Sequence, residues 1–315
     1  MPELSTVHIS QALTNVAIGY PMSNFIAPRL LAEVPVAKQT DYYYIFDTVQ
    51  EKKRQSDDNR RPGAAANEVD FAMTSATYTA DGHALATAIP DEVRANSDAP
   101  IQPDLDATEN LVSKLMVGQE VALKTALDAA VTVNTSDPTN EWDDYTNGDP
   151  IADFKLAINT IEDAVGITPN VVAMDTKVWR ALKFHPAILS KVLYGGTNAN
   201  PAMIGPEAIA ALFDLEEVII GNGLKNTAVK GQAASLSRIW GSDVYIGYRP
   251  GRAGLRIPAG GYRFTWAPFS GSQMGFAVKR WRDDKRGADM IQVEKYYDQK
   301  ITLALSWYRL QNRLT

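Results

Sequence analysis

The sequence has no cysteine, only three histidines, and no apolar run approaching a membrane span, which needs roughly 20 residues. The missing cysteines exclude disulfides, thiolate zinc sites and a cysteine nucleophile, and agree with a reducing compartment. His8, His83 and His185 lie far apart, and none sits in a metal-ligand spacing. Each reads as a turn or surface residue. The start, Met1-Pro2-Glu3-Leu4, lacks the basic and apolar segments of a secretion signal. No phosphate loop and no nucleophile-elbow serine occurs. Gly221-Asn222-Gly223 resembles the opening of a dinucleotide fingerprint, but the third glycine and the following helix pattern are missing.

What is present is ordinary for a folded soluble chain. Of 315 residues, 45% are apolar and 22% charged, enough for one large domain or two modest ones. The formal net charge of -6 disfavours broad adhesion to nucleic acid. Asn134-Thr135-Ser136 matches a glycosylation acceptor, a triplet that means little without secretion.

The stretch from Asp41 to Thr132 is the most informative. Tyr42-Tyr43-Tyr44-Ile45-Phe46 is aromatic and β-branched, and so predicts a strand. Val69, Phe71 and Met73 alternate with polar or small residues and predict a second. Between them, Glu51 to Gly63 contains no apolar side chain. A hairpin of that length with such a tip either floats in water or lies on another subunit. Ala88 to Asp98 follows as a turn or short helical segment. Pro103-Asp104-Leu105-Asp106 then opens a helix, with proline at its entry and carboxylates at the positive end of the dipole. Leu111, Val112, Leu115, Met116, Leu123, Ala126, Leu127 and Ala130 keep the spacing of one helical face. From Asp104 to Val131 the helix spans about 40 Å at 1.5 Å per residue.

Residues 1 to 40 are apolar but poorly periodic and interrupted by Pro21, Pro28 and Pro35, which predicts an extended arm. Phe25, Ile26, Leu30, Leu31 and Val34 would be exposed on a free arm. They dock either on the chain's own body or on a neighbour. Residues 134 to 150 are polar and acidic and read as a loop at a domain boundary. Beyond Pro150 the pattern alternates: helices over 152–165, 176–183 and 207–213, strands over 170–174 and 217–220. Strands then dominate, over 237–240, 243–248, 262–266, 275–282 and 290–308.

The acidic side chains Asp137, Glu141, Asp143, Asp144, Asp149 and Asp153 do not match a calcium loop and read as a solvated acidic segment. No pair of carboxylates stands out for acid–base work. The basic run Lys52, Lys53, Arg54, Arg60 and Arg61 is interleaved with Glu51, Asp57 and Asp58 and holds no aromatic residue. Mixed signs suit partner recognition better than a nucleic-acid groove. Pro250 to Arg256 is a second basic loop of the same kind. No catalytic site and no cofactor is expected.

The order of elements resembles the major capsid protein of tailed bacteriophages: proline-bent arm, long charged-tip hairpin, acidic turn, long helix, α/β unit, C-terminal strands. Ile89-Pro90-Asp91-Glu92 through Asn96-Ser97-Asp98 is similar to that family's turn before its long helix. Pro169 to Leu182, and Val218-Ile219-Ile220-Gly221-Asn222 to Ile239-Trp240-Gly241, also look like family segments. The resemblance implies an α+β, Hong Kong 97-like fold and a non-enzymatic shell protein. It implies an arm over 1–40, an extended loop over 41–86, a peripheral domain with its spine helix over 87–149, an axial domain over 150–248, and a return to the peripheral domain over 249–315.

On that resemblance, Phe25, Ile26, Leu30 and Leu31 of the arm and Lys52, Lys53, Arg54, Arg60 and Arg61 of the loop tip contact other subunits. Tyr194, Gly195, Gly196 and Asn198 lie in a candidate axial loop. The expected partners are copies of the chain in hexamers and pentamers, a separate scaffolding protein, a portal and decoration proteins. The shell would enclose double-stranded DNA without reading its sequence, contact no membrane, and be assembled in the host bacterial cytoplasm before serving as the virion capsid. Some family members join Lys to Asn covalently. Lys52 or Lys53 lies in a suitable loop, but nothing identifies an acceptor and no cross-link is expected. Two other classes compete: an encapsulin-like nanocompartment shell, and a cytoplasmic α/β hydrolase with unidentified carboxylates.

Overall fold

A single helix links both sheets of this protein. The computed structural model describes residues 8–9, 25–46, 59, 62–63, 65, 68, 73–97, 101–193, 204–229, 231–252, 254, 259–267 and 276–315. In chain order the elements are β1 (His8–Ile9), α1 (Ala27–Leu30), β2 (Ala32–Val36), β3 (Thr40–Phe46), β4 (Met73–Thr79), β5 (Asp81–Pro90), α2 (Asp91–Ala95), α3 (Pro103–Ala130), β6 (Thr135–Ser136), α4 (Pro150–Val165), β7 (Val171–Asp175), α5 (Thr176–Phe184), α6 (Pro186–Leu193) and α7 (Pro206–Leu212). The strands β8 (Glu217–Gly221), β9 (Leu224–Asn226), β10 (Leu236–Arg238), β11 (Val244–Gly247), β12 (Tyr262–Trp266), β13 (Phe276–Asp283), β14 (Ala288–Lys300) and β15 (Trp307–Leu310) follow.

The first sheet has the order β1-β13-β14-β12-β2, with β5 also paired to β14. The 13-residue β14 is its axis. It pairs antiparallel with β5 from Ala288↔Pro90 to Tyr297↔Asp81, with β13 from Phe276↔Lys295 to Asp283↔Ala288, and with β12 from Tyr262↔Lys300 to Thr265↔Tyr297. The second sheet has the order β6-β15-β11-β7-β8. Its strand β7 is buried at every position, as a strand covered on both faces must be.

The spine helix α3 is 28 residues long, about 42 Å at 1.5 Å per residue. Its first half packs Leu111, Val112 and Met116 against Ile89, Phe276, Val278, Ile291 and Val293 of the first sheet. Its second half packs Leu123 and Leu127 against Val171, Ala173, Tyr245 and Trp307 of the second. The far face of the second sheet carries the third core, where Val172 and Met174 meet Phe154 and Ile161 of α4 and Leu182 of α5.

Local signals set the ends of these helices. The Asp149 carboxylate accepts from Ile151 N and Ala152 N at 3.1 Å each, Pro150 follows it, and Gly166 closes α4 in the left-handed region at φ 68°. Asp175 caps α5 through Lys177 N at 2.8 Å.

Several elements depart from expectation. Asp81–Pro90 is a ten-residue strand where a turn or short helix was expected from Ala88, and only Asp91–Ala95 is helical. Gly82, Ala84, Ala86 and Ala88 carry little strand propensity, so pairing along β14 decides their conformation. The hairpin's second described strand is Met73–Thr79, and Val69 and Phe71 lie outside the described residues. The arm is not wholly extended, because Ala27–Leu30 forms a helical turn before β2. Helix α6 was not anticipated. The loop of residues 134 to 149 carries a fully buried Trp142, which belongs to the third core. The expected strand over 290–308 is two strands, broken by a 3₁₀ turn at Ala304–Ser306.

Candidate functional site

The most exposed aromatic surface among the described residues lies on the β3–β4 hairpin. Its register runs from Thr40↔Thr79 to Phe46↔Met73. Strand alternation sends Tyr43 to the body, its ring centroid 5.2 Å from that of Phe264, while Tyr78 stacks on Phe264 at 4.5 Å. The Tyr78 hydroxyl donates to Lys38 O at 3.1 Å, and Thr79 N donates to Asp298 at 3.0 Å. The same alternation turns Tyr42 and Tyr44 outward, 67% and 53% exposed. The hairpin is thus fixed at its base and presents two tyrosines on its outer face. Sequence reading placed the strand but did not single out these two, although alternation carries the signal. The tip residues Lys52, Lys53, Arg54, Arg60 and Arg61 lie outside the described residues, as do Tyr194, Gly195, Gly196 and Asn198.

The arm residues proposed as intersubunit contacts are placed in the chain's own cores. Ile26, Leu30 and Leu31 are buried against the spine helix and the second sheet, and Phe25 against the first-sheet core. What holds them is Glu120 on α3, itself buried. Its carboxylate accepts Ile26 N at 3.0 Å, Ala27 N at 2.7 Å and Trp240 Nε1 at 2.6 Å. Burial pushes its pKa up, and those three donors oppose the shift. The signal for Glu120 was a lone carboxylate on the apolar stripe, between Met116 and Leu123.

Beyond this clamp, Glu217 of β8 pairs with Arg249 at 2.9 Å and with Arg29 of α1. These groups border an open cavity of about 440 Å³, lined also by Glu207, Glu216, Val218 and Ile220.

A second buried polar group joins β2 to the first sheet. Arg263 of β12 engages Glu33 of β2 at 2.5 Å, and the Thr265 hydroxyl donates to the same carboxylate at 2.7 Å. Lys295 of β14 lies beside them, its Nζ 3.3 Å from Gln119 Oε1 of α3 and 4.5 Å from the Phe276 ring centroid. A third network ties α2 to the start of α3. Arg94 pairs with Asp104 at 2.8 Å and Asp289 at 2.5 Å, and Arg280 with Asp289 at 2.7 Å.

The acidic segment has structural partners. Asp153 accepts from Trp142 Nε1 at 2.7 Å and Arg313 Nη1 at 2.9 Å, and Asp144 accepts from Thr146 N at 3.1 Å and Asn147 Nδ2 at 2.9 Å. Asp137 and Asp143 accept from Asn312 and Thr315. Among the described residues, no group of three or more His, Cys, Asp or Glu side chains is placed to hold a metal ion. His83 stacks on Tyr297 at 4.3 Å, and His185 is buried with its Nδ1 accepting from Ala187 N at 3.2 Å. Gly221 ends β8 against the Trp240 ring, and Asn222 accepts from Arg238 Nη1 at 2.9 Å. That glycine admits an indole where a dinucleotide turn might have been read. No described helix is long and apolar enough to cross a membrane.

Two curated proteins are similar in sequence. The major capsid protein of Pseudomonas phage JBD67 is 28% identical over 253 residues, 79% of each chain. The major capsid protein of Burkholderia phage BcepMu is 21% identical over 266 residues, 79% of this chain and 80% of that one. No family model matches. Among solved structures, a phage-related protein of Bordetella bronchiseptica superposes with a TM-score of 0.71 at 22% identity, covering 97% of both chains. The capsid of cyanophage P-SCSP1u gives 0.55 at 10% identity, over 91% of this chain and 87% of that one. The SrpI encapsulin of Synechococcus elongatus gives 0.53 at 12%, over 90% and 86%. The architecture is the α+β, Hong Kong 97-like one that the element order suggested.

Proposed function

We infer that this chain, a capsid shell protein with the Hong Kong 97-like fold, assembles with copies of itself into hexamers and pentamers that close an icosahedral shell around double-stranded phage DNA. The observation that carries the mode of assembly is the anchored hairpin with Tyr42 and Tyr44 turned to water. Two large aromatics on a projecting ribbon are the kind of rigid, low-entropy anchor that protein interfaces use. A shell needs many modest interfaces that sum to a stable whole while each can still rearrange. Residues 41–86 would then overlie a neighbouring subunit, with the basic tip of Lys52, Lys53, Arg54, Arg60 and Arg61 setting register by charge. Residues 150–248 would face the capsomer centre, with the segment around Tyr194, Gly195, Gly196 and Asn198 nearest the axis.

The arm enters this scheme differently from the sequence expectation. With Phe25, Ile26, Leu30 and Leu31 held in the subunit's own cores, contacts to neighbours fall to other parts of it. A separate scaffolding protein, a portal and decoration proteins complete the particle. Assembly takes place in the host bacterial cytoplasm, and the product is the virion capsid. A net charge of -6 suits a container whose cargo must move, since a strongly basic lining would hold phosphate.

The test is assembly of Tyr42→Ala/Tyr44→Ala, followed by sedimentation and negative-stain microscopy. The expected result is a folded subunit, by circular dichroism, that forms few shells, sheets or capsomers. Normal particles would refute the hairpin's role. An encapsulin-like compartment is the second reading, because the SrpI encapsulin has the same architecture. Particles purified from the native host would then carry a cargo enzyme in place of DNA.

A further inference from the structure

Lys295 is the one lysine among the described residues that is almost wholly removed from water, 4% exposed. It stands where four elements meet. Strand β2 contributes Glu33, strand β12 contributes Arg263, and α3 contributes the neutral Gln119. From β13 comes the apolar Phe276 ring, from β5 its cross-strand partner His83, and from β14 itself Tyr297, 5.8 Å away at the ring centroid. Desolvation and the Arg263 charge push Lys295 down to about 7, against the partial opposition of Glu33. The closed joint near neutrality therefore contains the Arg263–Glu33 pair and an amine on the edge of losing its charge.

Strand β2 is the element able to leave. It ends the sheet order, pairs with β12 alone among the described strands, and does so in parallel from Ala32↔Tyr262 to Val36↔Trp266. Releasing it takes Glu33 away from Arg263 and admits water to Lys295. A solvated lysine regains its ordinary affinity for a proton.

We propose that β2 is a proton-coupled latch: its release from β12 takes up one proton at Lys295, so that acidification toward neutrality favours the released arm strand. The sign follows from linkage. The closed state binds fewer protons than the open one between the two lysine pKa values, so rising pH closes the latch and falling pH opens it. His83 is held below its usual value by burial and stays neutral above pH 7, so it does not contribute in that window. The latch is a property of the single subunit and stands or falls apart from the mode of assembly.

Hydrogen exchange of the full chain tests it, followed by mass spectrometry on peptides covering residues 32–36 and 262–266. After correction for intrinsic exchange, the opening constant should fall about tenfold per pH unit across the upper part of the window from about pH 7 to about pH 10. In Lys295→Met that dependence should vanish, and in His83→Phe it should persist. A flat wild-type profile, a slope that survives Lys295→Met, or a slope lost in His83→Phe would each overturn the latch. Should the methionine variant not fold, Lys295→Arg keeps the charge at every pH. It should open readily with no slope, and a retained slope would be decisive against the proposal.

Discussion

Trp240 donates its indole N–H to Glu120 at 2.6 Å, across 120 residues of chain. Since the same carboxylate accepts Ile26 N and Ala27 N, one buried side chain joins the arm, the spine helix and the second sheet. Glu120→Ala would leave three buried donors unpaired. Each costs roughly 1–3 kcal/mol, so we expect a loss of about 3 kcal/mol or more in urea unfolding. Glu120→Gln should cost less, and the comparison should depend on pH. A carboxyl whose folded pKa is raised contributes stability that is present below its unfolded pKa and is lost as pH rises through the folded one. Wild type should therefore gain on the glutamine variant as pH falls from neutrality toward 4.5. A constant difference would contradict the burial assigned to Glu120.

Arg313 is buried with its guanidinium donating to Asp153 at 2.9 Å and to Ser136 Oγ at 2.7 Å. Removing one partner of a buried pair strands the other charge, at a cost of roughly 3–5 kcal/mol. Arg313→Ala should lower the urea midpoint accordingly. The double variant Arg313→Ala/Asp153→Ala should recover part of the loss, and an additive result would mean the pair is not coupled.

Gly247 faces the Trp307 ring so closely that an added Cβ would sit 2.2 Å from it. Gly247→Ala must push β11 and β15 apart or turn the indole, at about 1–3 kcal/mol or more. Because the clash is with the outer ring of the indole, Trp307→Leu should cost less in the Gly247→Ala background than in wild type. Simple additivity of the two changes would remove Trp307 as the cause.

Arg280 and Arg94 hold Asp289 down at a pKa of about 2. A depressed carboxylate stabilises the fold above its unfolded pKa of 3.8, and that contribution is lost as pH falls toward about 2. Asp289→Asn should therefore be less stable than wild type at neutrality, with the gap narrowing through that acid window. Equal slopes in the two proteins would show the ion network to be inert.

How much of this was legible depends on where each element draws its stability. Helix α3 announces itself, because Pro103, the carboxylates behind it and the stripe from Leu111 to Leu127 are local signals. The same holds for α4, bracketed by Asp149-Pro150 and Gly166. Strand β5 was illegible for the opposite reason. Its alternating glycine and alanines specify nothing alone, and the pairing that shapes them lies about 200 residues downstream in β14. The arm shows the limit in between. Its apolar residues demanded cover, yet only the position of Glu120 shows that the cover is the chain's own spine. Trp142 in a polar loop gave a hint that composition overrode. At the hairpin, alternation separates Tyr43 from Tyr42 and Tyr44, but which face meets the body depends on Phe264, over 200 residues away.

Strand β15 has a consequence for timing. Trp307 completes one core, Tyr308 and Leu310 complete another, and the strand itself lies between β6 and β11. A nascent chain that has emerged only as far as β11 exposes the edge where β15 belongs and the apolar surface that Trp307 covers. Such edges invite pairing between chains. On a polysome, where identical incomplete chains crowd together, the subunit is most prone to wrong association just before translation passes Leu310. After that point the same residues seal the body, and only the finished subunit offers its hairpin to a neighbour.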